Sequence, residues 1–145
     1  MKTLIYLLLL CPAIVFAGKA KETPKDPHFG NTKKVLIAKY GEPLRVVAKG
    51  CVLYGVTFQH SKEVERTYSF MDKYHPDRNN QMFFLFTGKI NSGRVWAVLN
   101  WVSPGRWKES PKNMWHHQSK GGLVYRATVS VKQVQITFLG HEVGK

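Results

Sequence analysis

Ser61-Lys62-Glu63-Val64-Glu65-Arg66-Thr67-Tyr68-Ser69-Phe70-Met71-Asp72-Lys73 is the stretch on which the fold reading turns. Its ends carry helix signals. Ser61 can cap an N-terminus, Glu63 and Glu65 sit in the first turn and Lys73 in the last, and all three charges suit the helix dipole. Val64, Tyr68 and Met71 fall at i, i+4 and i+7 and give one apolar face. Pro76 closes the run, since it supplies no amide hydrogen. The pattern predicts a helix over 61–73.

On either side the period is two. Val35-Leu36-Ile37-Ala38 and Leu44-Arg45-Val46-Val47 read as short strands around Gly41-Glu42-Pro43, and Val52 to Phe58 as a third. Met82 to Phe86, Arg94 to Val102, Leu123 to Val131 and Val134 to Leu139 are rich in Val, Phe, Trp, Tyr, Ile and Thr and also read as strands. Asn91-Ser92-Gly93 and Lys132-Gln133 suit hairpin connections. This order predicts an α+β fold: one central helix packed on a four- to five-stranded antiparallel sheet. Val64, Tyr68, Phe84, Phe86, Val98, Leu99, Val129 and Ile136 are its expected core. Ser103 to Gly122 reads as one long connection carrying Arg106, Trp107, Lys108, Lys112, Trp115, His116 and His117. Connections of that length in small domains are often functional. No internal repeat is visible.

The N-terminus carries an export signal. Lys2 precedes the apolar run Leu4 to Leu10, and Ala13-Ile14-Val15-Phe16-Ala17 ends on a small residue before a lysine-rich stretch. The run is too short to remain in a bilayer. The predicted organisation is a signal peptide at 1–17, a flexible basic leader at 18–33 and a single domain at 34–145. A secreted protein without stable membrane insertion is expected, and a monomer.

Charge bounds the partners. The chain has 22 Lys and Arg against 9 Asp and Glu, a net charge of +13. Only Lys2 leaves with the signal. Such a surplus favours polyanions: nucleic acid, anionic lipid, acidic polysaccharide or an acidic protein. Cys11 also leaves with the signal, so Cys51 has no partner for an internal disulfide and the fold must stand on its core. Its neighbours Val52, Leu53 and Tyr54 predict a buried free thiol. No metal or cofactor is expected. His116 and His117 are adjacent and point apart on a strand, and no second ligand pair has zinc spacing. Phosphate-binding glycine loops and nucleophile elbows are also missing from the sequence.

Two stretches resemble known families. Tyr74-His75-Pro76-Asp77-Arg78-Asn79, following a predicted helix, resembles the His-Pro-Asp loop of J-domain co-chaperones. Those proteins need a second amphipathic helix next, where Met82-Phe83-Phe84-Leu85-Phe86 reads as strand. The second resemblance spans Cys51 to His141. The predicted strand, helix, Tyr/His/Pro turn, aromatic strand, long loop, strand with Arg and strand ending in His are similar to the small guanyl-specific fungal ribonucleases. They are closer still to the ribonuclease-like effectors of fungal plant pathogens. That resemblance implies a ribonuclease-like fold and a role for His75, Arg126 and His141 around a phosphate. The strand that would carry the catalytic Glu holds Ala97 and Val98 and no carboxylate, and the disulfides of the family are missing.

The resulting expectation is a secreted effector of ribonuclease-like fold, catalytically inactive, that binds a host protein, RNA or both and is open to delivery into host cells. Its RNA-binding residues would be Arg106, Trp107, Lys108, Lys112, Trp115 and Arg126, through phosphate neutralisation and base stacking. The alternatives are an active secreted ribonuclease using His75 and His141, or a bacterial periplasmic or envelope protein of structural role.

Overall fold

A computed structural model describes residues 26–141. The expected signal peptide at 1–17 and the first half of the expected leader, 18–25, lie outside them. In chain order the elements are α1 (Lys33–Tyr40), β1 (Arg45–Lys49), β2 (Val52–Ser61), β3 (Val64–Ser69), β4 (Gln81–Phe86), α2 (Ser92–Val102), β5 (Lys108–Glu109), β6 (Met114–Gln118), β7 (Leu123–Val129) and β8 (Gln133–His141). The strands form one 8-stranded sheet in the order β1-β2-β3-β4-β8-β7-β6-β5, antiparallel throughout.

This mainly β architecture replaces the expected central helix on a smaller sheet. Residues 61–73 do not form a helix. Lys62-Glu63 is the tight turn between β2 and β3, and Val64 to Ser69 is a strand whose partners include Tyr68 opposite Val56 and Arg66 opposite Phe58. Val64 and Tyr68 are four apart, a spacing that shares a face in a helix and in a strand alike. Arg66 decides between them: it lies midway, points with both, and is 4 % exposed. Its charge hid the period of two.

The opposite error occurs at 94–102, where the expected strand is α2. Asn91 caps it, its Oδ1 accepting from Arg94 N at 2.9 Å. Val95, Val98, Leu99 and Val102 are buried at helical spacing. Residues 35–38 likewise form the middle of α1, capped by Thr32 and burying Leu36. The expected long connection holds two strands, β5 and β6. The elements on which the ribonuclease-like arrangement was built are therefore exchanged, helix for strand and strand for helix.

The element order repeats. α1 leads into β1–β4 and α2 into β5–β8, and the two meanders meet where β4 pairs with β8. Both helices pack on the same face. Tyr40 of α1 stacks on Tyr68 and packs at a tilt on Phe58, and Trp101 of α2 meets Phe84 and His60 edge-on. Between sheet and helices lie Val56, Phe58, Tyr68, Met82, Phe84, Phe86, Val98, Leu99, Tyr125, Ala127, Val134 and Ile136. Seven of the eight expected core residues are buried and Val129 is half-buried. Burial at roughly 25 cal/mol per Å2 of apolar surface makes this layer the main stabilising term. Cys51 sits exposed at the β1–β2 turn rather than buried.

Residues 26–31, placed in a leader by sequence, are built into the domain. Buried Asp26 accepts from His28 N at 2.7 Å, Phe29 N at 2.9 Å and the Tyr125 hydroxyl. Burial first, and Asp26 second, push the Tyr125 hydroxyl well above its ordinary pKa. Asn79 then clamps the segment: its Oδ1 accepts from Asn31 N at 2.9 Å and its Nδ2 donates to His28 O at 2.8 Å.

Candidate anion-binding face

The sheet face away from the helices is polar. Antiparallel register lines its residues up in rows across the strands. One row runs Lys108, His116, Arg126, Thr137, Gln81 and Ser69, from β5 to β3. Lys108, His116 and Arg126 stand side by side on three neighbouring strands and are all exposed. Beside them lies a cleft of about 620 Å3, lined by Arg106, Lys108, His116, His117, Gln118, Val124 and Leu139. No carboxylate is among these residues.

Local structure fixes the cationic groups. The β5–β6 connection turns through the cis bond Ser110-Pro111 and through Asn113, whose φ is 64°. Ser110 N donates to Met114 O at 2.8 Å, and Asn113 N donates to Glu109 Oε1 at 2.7 Å. His116 Nε2 lies 3.1 Å from the Ser110 carbonyl. A carbonyl only accepts, so Nε2 carries the hydrogen and donates it, leaving Nδ1 as an acceptor in the neutral ring.

His117, next in sequence, turns to the helix face and is buried. Its Nδ1 lies 3.3 Å from the Arg106 carbonyl and donates to it, and its Nε2, 3.1 Å away, accepts from the Ser103 hydroxyl. A serine hydroxyl on an imidazole whose other nitrogen is oriented has the outline of a nucleophile and base. Ser103 is 6 % exposed beneath the end of α2 and does not line the cleft. The pair instead ties the segment after α2 to β6, which brings Arg106 and Lys108 to the cleft edge. Gly105 is required for this approach: its φ is 148°, and a Cβ there would meet His117 Cε1 at 2.5 Å.

The sequence-predicted residues divide. Arg106, Lys108 and Arg126 come together on one face. Lys112 is exposed in the β5–β6 turn, at the end of the same hairpin. Trp107 and Trp115 belong to the other face. Trp107 is 4 % exposed, donates from Nε1 to Ser103 O at 3.0 Å and stacks on His117. Trp115 is half-buried against Trp96, ring centroids 5.2 Å apart. They are packing residues, and the expected stacking platform does not form. His75 lies in the exposed β3–β4 connection, on an Asp72 turn, and His141 closes β8. The structure places Arg126 beside His116 and not beside His75.

His116 and Gln118 line the cleft and were not singled out from the sequence. Their signal was the alternation from Met114 to Gln118, obscured by two adjacent histidines. Among the described residues no three His, Cys, Asp or Glu side chains come together as a metal site, and no helix is long and apolar enough to cross a membrane. Comparison with protein-family models, with curated proteins and with solved structures gives no match for this chain.

Proposed function

We propose that the protein, after export, binds RNA through the basic open face of its C-terminal meander and acts by binding rather than by cleavage. The observation that carries this reading is the row Lys108, His116, Arg126 beside a cleft edged by Arg106 and free of carboxylates. Adjacent strands are about 4.8 Å apart. The long Lys108 and Arg126 side chains can splay from that spacing to contact neighbouring phosphates, and Gln118, Gln81 and Thr137 offer hydrogen bonds to bases and ribose. The reading keeps the effector's mode of action and dispenses with the ribonuclease-like fold. It also dispenses with stacking on Trp107 and Trp115, so charge supplies most of the affinity.

A titration of labelled single-stranded RNA at two salt concentrations tests it. Lys108→Ala with Arg126→Ala should weaken binding about tenfold at low salt and reduce the salt slope by roughly two. Unchanged affinity and slope in the double variant would remove RNA from this face. Cleavage of the RNA by wild type, lost in His116→Ala, would show an enzyme instead.

A further inference from the structure

The helix face carries a second polar centre, unconnected with the open face. Arg66 is 4 % exposed at the middle of that face. Its guanidinium lies over three rings: 4.2 Å from the Tyr40 centroid, 4.6 Å from Trp101 and 5.2 Å from Tyr68. Nη1 lies 3.2 Å from His60 Nδ1, which must accept. No carboxylate pairs with Arg66 among the described residues. The nearby Asp26 is engaged by Tyr125 and two amides.

Four buried side-chain atoms among the described residues make no well-formed hydrogen bond within the protein: Arg66 Nε, Tyr40 Oη, Tyr68 Oη and His28 Nδ1. The Tyr68 hydroxyl has only the looser company of the Tyr40 hydroxyl and the Arg66 guanidinium, so the three groups converge without a carboxylate among them. All four atoms belong to this one cluster, since His28 packs on Trp101 with ring centroids 4.2 Å apart. We propose that Arg66 is the centre of a recognition site for a small carboxylate with an aromatic or apolar body, covered by Tyr40.

The donor set selects the head group. Arg66 Nε–H and two phenolic hydroxyls can all donate to one pair of anionic oxygens, and the guanidinium supplies the opposite charge. The aromatic walls select the body: Tyr40, Tyr68 and Trp101 favour a flat apolar group over a fully hydrated inorganic anion. A ligand would enter by displacing a ring on one of two sides. Tyr40 is only half-buried, on the last residue of α1, and His60 also lines a cleft of about 390 Å3 with Val64, Phe86, Ala97 and Val98.

The test is NMR on the 15N-labelled mature protein, following the Arg66 Nε–H and Trp101 indole signals. Benzoate is titrated at constant ionic strength, with phosphate and chloride as parallel arms. Benzoate should shift both signals saturably, and phosphate and chloride should not saturate in the same range. Tyr40→Phe and Tyr68→Phe keep the rings that pack Arg66, and each should weaken benzoate binding roughly fivefold. Arg66→Gln should abolish it if that variant folds. No saturable shift with benzoate, equal saturation by phosphate or chloride, or full affinity in both Phe variants would each overturn the proposal.

Discussion

Asn79 is 1 % exposed, and its amide holds Asn31 and His28 at distances of 2.9 and 2.8 Å. Its backbone continues the clamp, with Asn79 N donating to Asn31 O and Gly30 N donating to Asn79 O. Truncating the side chain leaves a half-buried amide and a buried carbonyl unpaired. Asn79→Ala should therefore cost about 2–4 kcal/mol, read as a lower urea midpoint with unchanged slope. Gly105→Ala makes a different demand. The φ of 148° and the 2.5 Å approach to His117 leave no place for a methyl group, so a loss of roughly 2 kcal/mol or more is expected. Weaker RNA binding should accompany it, because Gly105 sets the path to Arg106. Cys51 gives the simplest check at this scale. It is exposed at a turn, and a thiol reagent should label the native protein as fast as the unfolded chain.

Helices and strands depend on signals that single residues can disguise. Asn91 is the N-cap of α2, so Asn91→Ala should destabilise by about 1 kcal/mol, whereas a hairpin residue at that position would be nearly neutral. The same Asn91-Ser92-Gly93 was legible as a turn but not as a cap, because both uses favour the same residues. Val-rich α2 has strand composition and helical spacing, and spacing won once Val95, Val98, Leu99 and Val102 faced the sheet. In β3 the spacing itself was ambiguous: Val64 and Tyr68 fit both periods, and the residue that separates them is a charged one, Arg66, buried under aromatic rings. Strands β1, β2, β4, β7 and β8 were legible from residue type and alternation, as were seven of the buried core residues, although Val64, Tyr68, Val98 and Leu99 were assigned to the wrong kind of element. The basic site was legible as a set of residue types near 106–126. Its face was not, because β5 and β6 are short strands between prolines and glycines, and the side to which Trp107 turns is set by the register of β6 on β7.

At the scale of the molecule, two successive helix-plus-meander units share one sheet and divide the labour between its faces. The helix face holds the core and the ionisable groups that burial perturbs; the open face holds exposed positive charge. The division predicts how stability responds to acid. Burial, more than the nearby Lys39 and Arg66, lowers the His28 pKa from 6.5 to about 4, against a smaller raising effect of Asp26. His60 is lowered too, by burial and then by Arg66. Between about pH 6.5 and pH 4 the unfolded chain thus binds protons that the folded chain refuses. Stability is fully present above that window and falls as the pH drops through it. The depressed pKa of His28 corresponds to roughly 2–3 kcal/mol across the window. Urea midpoints measured at pH 7 and near pH 4.5 should show this loss in wild type, and His28→Gln should lose less, because glutamine takes no proton. Carboxylates titrate in both proteins, so the difference between the two curves isolates the imidazole. Parallel curves would mean that His28 accepts its proton in the folded state at its ordinary pKa, and that the packing of residues 26–31 against Trp101 and Tyr125 is looser than these contacts imply.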